Sequence, residues 1–301
     1  MGSAMIDALI TYVNCADQLW YREYAIKTKT HNPTPTRFRS WGTLRYLIRG
    51  IAEYMPFVRN IVLVVSAPSQ VPVWINQENV RVVYHKDFIP AKYLPTFNSC
   101  TIESFFWNIP NLADKIIYFN DDMFPIGPMS EEDFFTDDTP HIKFSKLELS
   151  KTANLYRHQC RSGMDLITTA LNLPEWQGGQ IIRPYHITTA FTKEGLDAVG
   201  ELCGDLIPDT ISTLRASTNV NQYIYAYWYY FTDNYISETI KYNYFELMET
   251  TFPEIADTIA TTTYQMVCLN DSDKIKSYPK LRQQLQDCFE KKFPNKCKYE
   301  I

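Results

Sequence analysis

Three carboxylates and two amides stand where apolar runs give way to turns. Lys115 to Asn120 reads as a strand that runs straight into Asp121-Asp122, and Asn14 and Asp17 follow the strand-like run Ile6 to Val13. If both runs belong to one sheet, a single crevice at their carboxyl ends collects Asp17, Asp121 and Asp122 with the amides of Asn14 and Asn120. Such an oxygen-rich set suits a hard divalent cation held between protein oxygens and a diphosphate. The same Asn-Asp-Asp triplet also fits a plain turn, which Asn and Asp favour. Spacing alone leaves both readings open.

A second set is basic. Arg37 and Arg39 precede a helix expected from near Trp41, and Arg45 and Arg49 share one of its faces four residues apart. Cations at a helix N-terminus oppose the macrodipole by roughly 0.3–1 kcal/mol each, so their placement makes sense if an anion sits there. A solvated basic face is the competing reading. Further along, Ile182-Arg183-Pro184-Tyr185-His186 sets a histidine close to an arginine, a pattern as compatible with a structural imidazole as with a catalytic one. The acidic stretch Glu131, Glu132, Asp133, Asp137 and Asp138 reads as a solvated loop.

The elements that must position these groups alternate. Ile6 to Val13 is a strand, Asp17 caps a helix from Gln18, and a loop with Pro33 and Pro35 follows. Leu44, Leu47, Ile48, Ile51 and Met55 mark a helix closed by Pro56. Ile61 to Val65 and Val80 to Tyr84 are β-branched strands, and a helix is expected around Thr101 to Trp107 before the strand from Lys115. Strands alternating with helices predict an α/β fold, a mainly parallel sheet covered by helices. Gln222 to Phe231, aromatic on every face, predicts a buried helix rather than a sugar platform. Val267 to Leu269 leads into Asn270-Asp271, and Leu281, Leu285, Cys288 and Phe289 mark an amphipathic last helix.

Composition narrows the function classes. With 301 residues, 45% hydrophobic, the chain can bury a sizeable core. A formal charge of -5 gives no global drive toward nucleic acid, so an anionic ligand must meet a local basic cluster. Seven scattered cysteines without a C-x-x-C pair point to reduced thiols rather than disulfides or a zinc knuckle. Met1-Gly2-Ser3-Ala4 reads as an expression-vector remnant, and no apolar run is long enough to span a bilayer. The expectation is a soluble, cytoplasmic protein, with peripheral association at the inner membrane face left open. Walker, G-x-G-x-x-G, G-x-S-x-G and H-E-x-x-H motifs are missing.

Four blocks in order resemble the Stealth family of sugar-phosphate transferases. They are IDALITYVNCAD from Ile6; RFRSWGTLRYLIRG, QVPVWIN, LPTFNSCTIES and YFNDDMF between Arg37 and Phe124; YHITTAFTKEGLDAV from Tyr185; and VCLND with a trailing helix that closes in FPNKCKYE. The chain departs from the family pattern at Tyr12 (Trp), Cys15 (Gly), Ser40 and Thr43 (acidic residues) and Thr188 (Pro). Asn219 to Asn221 replace an acidic pair, and Arg215 stands one position from the family's arginine.

The resemblance implies a GT-A-like, Rossmann-related fold with a helical C-terminal part. Within one catalytic domain, residues 6–129 would bind a nucleotide-sugar and 130–301 would complete the acceptor side. It further implies Mg2+ or Mn2+ on Asp121, Asp122 and Asp271, with His186 as general base and Asp17 as second choice. Substrate contacts would come from Asn14, Arg37, Arg39, Arg45, Gln70 and Asn98, and from Asn120, Arg183, Arg215, Gln222 and Asn270. The implied partners are a UDP-sugar donor and an oligosaccharide or lipid-linked glycan acceptor, in capsule or exopolysaccharide synthesis, with UMP as leaving group. A metal-dependent glycosyltransferase releasing UDP and an inactive sugar-binding assembly subunit are the alternatives.

Overall fold

The computed structural model describes residues 5–29, 38–149, 154–176 and 179–301. Arg37 and the Pro33/Pro35 loop lie outside the described residues. The strands are β1 (Ile6–Thr11), β2 (Asn60–Val65), β3 (Val80–Tyr84), β4 (Lys115–Phe119), β5 (Met123–Pro125), β6 (Phe135–Thr136), β7 (Thr139–Pro140), β8 (Phe144–Glu148), β9 (Gln180–Pro184), β10 (Thr189–Thr192), β11 (Tyr242–Glu246) and β12 (Met266–Asn270). The helices are α1 (Gln18–Thr28), α2 (Leu44–Tyr54), α3 (Ser99–Glu103), α4 (Leu155–Ala170), α5 (Lys193–Cys203), α6 (Tyr223–Phe231), α7 (Phe252–Ala260) and α8 (Tyr278–Lys292).

The chain divides into two compact units. The first holds Ile6–Val83, Tyr118–Asp133 and Ile240–Ile301; the second holds Tyr84–Ile117 and Phe134–Thr239. Contacts therefore do not cluster along the linear division 6–129 and 130–301. The cause is β12, which comes back from the C-terminal third to pair with β5. Residues 130–301 carry the helices α4 to α8 together with the short strands β6 to β12.

In the first unit β1 and β2 run parallel, Ala8 opposite Ile61, and the strand order is β4-β1-β2-β3. Ala8, Leu9, Ile10 and Ile61 to Val65 are all fully buried. This is the signature of parallel strands covered on both faces, which the near-continuous apolar runs predicted. A second sheet orders β11-β12-β5, with β11 parallel and β5 antiparallel to β12. Helix α2 lies tightly on β5: a Cβ on Gly50 would stand 2.5 Å from the Pro125 carbonyl oxygen, so only glycine permits this approach. No helix among the described residues is long and apolar enough to cross a membrane.

The second unit is built around α6, whose Tyr223, Tyr225, Tyr227 and Tyr229 are at most 1% exposed. Each buried hydroxyl has a partner: Tyr156 for Tyr223 (3.0 Å), the Glu103 carbonyl for Tyr225 (3.2 Å), the Ile182 carbonyl for Tyr227 (2.8 Å) and the Thr192 N–H for Tyr229 (2.9 Å). The aromatic run is thus core, with its polar ends satisfied. The segment expected as one helix from Thr101 to Trp107 is α3 followed by a 3-10 turn, Phe106–Asn108. All seven cysteines are free thiols.

Arg49 closes the first unit from inside. It is 5% exposed, and its Nε and Nη2 donate to the two Glu300 carboxylate oxygens at 2.6 and 3.0 Å, while Nη1 donates to the Phe293 carbonyl at 2.6 Å. Arg49→Met is expected to destabilise the chain by about 3–5 kcal/mol in urea denaturation, because Glu300 is left buried and unpaired. The double variant Arg49→Met/Glu300→Leu should recover most of that. Burial raises the Glu300 carboxyl, but hydrogen bonds from Arg49 and Cys297 outweigh it and hold it below its ordinary value. The pair's stabilisation is accordingly full above the unfolded carboxyl pKa and is lost as pH falls through the lowered one.

Candidate functional site

Three strand ends build the site in the first unit. After β1 the chain turns through Tyr12 to Asp17 into α1. After β4 it runs through Asn120-Asp121-Asp122 into β5, and β12 ends at Asn270, followed by Asp271. Pairing β5 with β12, Met123 opposite Cys268, places the start of one strand beside the end of the other. The Leu269 N–H accordingly donates to the Asp122 carbonyl at 2.9 Å. The Tyr118 hydroxyl donates to Asn120 Oδ1 (2.6 Å) and meets Thr11 Oγ1 at 3.0 Å, tying the ends of β4 and β1.

Electrostatics single out Asp121. Its residue keeps an exposed edge, yet its carboxyl is pushed up to about 7, first by desolvation among the surrounding protein and then by the charges of Asp122 and Asp271. Carboxylates that raise one another's pKa in this way are the ligand type that a hard divalent cation takes. Asp271 is less available than its neighbours. Arg39 grips it with Nε at 2.6 Å and a second, short bond from Nη2, and Nη2 also donates to the Ser272 carbonyl at 2.9 Å.

Arg39, expected on phosphate, is thus already paired with a carboxylate, and it stacks 4.7 Å from the Tyr278 ring centroid and 5.5 Å from that of Trp41. Arg45 lies over the Trp74 ring at 5.1 Å. Asp17 is the N-cap of α1: its carboxylate accepts from the Leu19 N–H (3.0 Å), the Ser69 hydroxyl (2.6 Å) and Gln70 Nε2 (2.8 Å). Burial raises this carboxyl, but those bonds outweigh it and hold it below the usual carboxylate range. Those bonds tie Asp17 to its own loop as the cap of α1. Gln70 serves the same loop, accepting from the Asn14 N–H (2.7 Å) and donating to the Asn14 carbonyl (3.0 Å).

Beside these residues opens a cleft of about 610 Å³ lined by Asn14, Cys15, Ala16, Arg39, Ser40, Tyr278 and Arg282. Cys15 and Ser40 are positions where the sequence departs from the Stealth pattern. Tyr12 connects the cleft to the carboxylates, since its phenol hydrogen-bonds Ser40 and feels the charges of Asp121 and Arg282. Tyr278 and Arg282 were missed in the sequence, where α8 was legible only through its apolar face. Their i, i+4 spacing, which puts both on one side of a helix, was the available signal.

In the second unit His186 Nδ1 lies 3.4 Å from the Tyr223 hydroxyl. Its imidazole is lowered to about 4, by burial first and then by the Arg183 and Arg215 charges. Arg183 Nε donates to Ser145 Oγ at 3.2 Å, and exposed Arg215 donates to Ser99. Asn98 is fully buried and spends its amide on the Ser212 carbonyl (3.0 Å), Asn219 Oδ1 (2.8 Å) and the Cys100 N–H (3.1 Å), tying α3 to the Ser212 loop. Gln222 opens α6, its N–H donating to the Glu103 carboxylate at 3.2 Å.

Residues 37–142 match the family model described as Stealth protein CR2, conserved region 2. The chain is 26% identical to the capsular polysaccharide phosphotransferase WcwK of Streptococcus pneumoniae, over 98% of both chains. It is 28% identical to the exopolysaccharide phosphotransferase cps2G of Lactiplantibacillus plantarum, over 99% of this chain and 97% of the other. Among solved structures it is similar to the inositol-1-phosphate CTP transferase from T. maritima, at 11% identity and a TM-score of 0.37, covering 96% of this chain and 98% of that one. With the second conserved region of the Stealth family matched over residues 37–142 and phosphotransferases aligned from end to end, the chain is similar to Stealth-type polysaccharide phosphotransferases.

Proposed function

We propose that the chain transfers a sugar-1-phosphate from a UDP-sugar to a hydroxyl of an acceptor glycan, forming a phosphodiester and releasing UMP, in the synthesis of a capsular or extracellular polysaccharide. One observation carries the reading: Asp121, Asp122 and Asp271 crowd at the ends of β4 and β12 beside a cleft that holds two guanidinium groups. The phosphotransferases of S. pneumoniae and L. plantarum support it.

On this reading the acceptor oxygen bonds to the β-phosphorus as the bond from that phosphorus to the bridging oxygen breaks, and UMP leaves with the bridging oxygen and the electron pair. The acceptor proton passes to His186, whose imidazole is neutral at pH 7 because burial, Arg183 and Arg215 hold it at about 4. Arg39 fixes the direction of the Asp271 carboxylate. Asp121 and Asp122 are the residues to hold Mg2+ or Mn2+, which when bound neutralises diphosphate charge.

Mass spectrometry of products from a panel of UDP-sugars and short oligosaccharide acceptors tests this reading. UMP with a phosphodiester-linked sugar is the expected pair. UDP with a glycoside would replace the proposal with glycosyl transfer, and bound donor without turnover would make the chain a sugar-binding assembly subunit.

A further inference from the structure

The first-unit cleft contains two arginines in different electrostatic states. Arg39 is spent, since a carboxylate takes it in two bonds and a carbonyl in a third. Arg282 is not. It lines the same cleft from α8, its Nε is buried without a hydrogen-bond partner, and among the described residues no carboxylate pairs with it. The groups that feel its charge are the phenols of Tyr12 and Tyr278. A guanidinium at a cleft wall that no carboxylate grips keeps its donors for an anion.

Backbone geometry makes room for this head group. Gly42 has φ +70°, and a Cβ there would come within 2.9 Å of Arg282 Nη2 and 2.4 Å of Gln286 Nε2. The Gln286 amide donates to the neighbouring Trp41 carbonyl at 2.6 Å. Any side chain at 42 would therefore push the guanidinium from its place, and the left-handed conformation suits glycine there.

We infer that Arg282, seated against Gly42, is the residue that reads the phosphate charge of a nucleoside diphosphate in this cleft, while Arg39 serves Asp271. The assignment rests on the donor reading above and adds to it the side chain that distinguishes a nucleotide from its nucleoside. Arg282 makes its contacts with phosphate oxygens. The apolar and hydroxyl-bearing walls, Cys15, Ser40 and Tyr278, face the uncharged remainder of the ligand.

Isothermal titration of the full chain with UDP and with uridine, both with Mg2+ present, tests it. Wild type is expected to prefer UDP strongly. Arg282→Met should weaken UDP binding about tenfold to a hundredfold, the value of a charge-assisted hydrogen bond or two, and leave uridine binding unchanged. Arg282→Lys should recover part of the loss, and Gly42→Ala should imitate Arg282→Met. Thermal melts monitor folding. Arg282→Gln, which keeps length and polarity, carries the test if the Met variant melts early. UDP binding equal to wild type, or equal losses for UDP and uridine, would overturn the role of Arg282 and leave the donor reading standing. A wild-type chain that binds neither UDP nor CDP, GDP or ADP would remove the donor reading, and the assignment with it.

Discussion

Asp122→Ala is expected to lower turnover by about 10³-fold or more, since a carboxylate that holds a divalent ion controls several kcal/mol of transition-state stabilisation. The fold should persist, because the hydrogen bond from Leu269 uses the Asp122 backbone carbonyl and alanine retains it. EDTA should reproduce the effect on wild type, and added Mg2+ or Mn2+ should reverse it. Asp121→Ala should be nearly as severe and carries a second signature. The folded-state pKa of Asp121 is raised to about 7 by desolvation of its carboxyl and by the charges of Asp122 and Asp271. A raised carboxyl contributes stability below its unfolded pKa and loses it as pH rises through about 7. Above that point the metal-free wild type bears an unfavourable charge that the alanine variant lacks. Asp121→Ala should therefore melt no lower than wild type at pH 8 in EDTA while losing activity, the trade expected where a site is kept under electrostatic strain for function. Full turnover by either alanine variant would sink the metal assignment.

His186→Ala is expected to lower kcat by about 10²–10⁴-fold with little change in donor binding, because proton removal matters in the transition state and hardly at all in the ground state. The acidic limb of the kcat profile should fall near pH 4 rather than near the ordinary imidazole value, since burial, Arg183 and Arg215 disfavour the protonated ring. Removing one of those cations, as in Arg183→Gln, should move that limb upward toward pH 6.5, a shift that a merely structural histidine would not produce. The linkage to folding has the same origin. A histidine whose pKa falls from 6.5 to about 4 on folding contributes stability that is full above pH 6.5 and is lost as pH drops toward 4. The histidine is thus expected to make the fold acid-labile in that window, and His186→Ala should flatten the acid side of the melting curve. Turnover per folded molecule equal to wild type would return His186 to a structural role.

Local order along the chain was legible because it is written in nearest-neighbour terms. Asp17 caps α1 at Gln18, Val80–Tyr84 is a strand with those ends, and Tyr223–Phe231 is the buried aromatic helix, each read from residues within a few positions of one another. Four ordered blocks likewise carried the resemblance to the Stealth family. The sequence also placed the Asp121-Asp122 pair at a strand end, since an apolar run followed by acidic residues can hardly fold otherwise. What required the tertiary structure was who neighbours whom across long separations. The antiparallel pairing of β5 with β12 brings Asp271 toward Asp121 across 150 positions, and the same folding turns Arg39 onto that carboxylate rather than onto a phosphate. Asp17, Gln70 and Asn98 have the same side-chain chemistry whether they bind a ligand or a loop. Their hydrogen bonds to Ser69, Asn14 and Ser212 exist only after the chain has packed. Arg282 is the converse case. In sequence it is one more polar residue on an amphipathic helix, and the packing of α8 against Gly42 seats its guanidinium at the wall of a cleft. Periodicity reports which face of an element is buried, but pairing and desolvation are properties of the assembled fold, and they decide which charges remain available for chemistry.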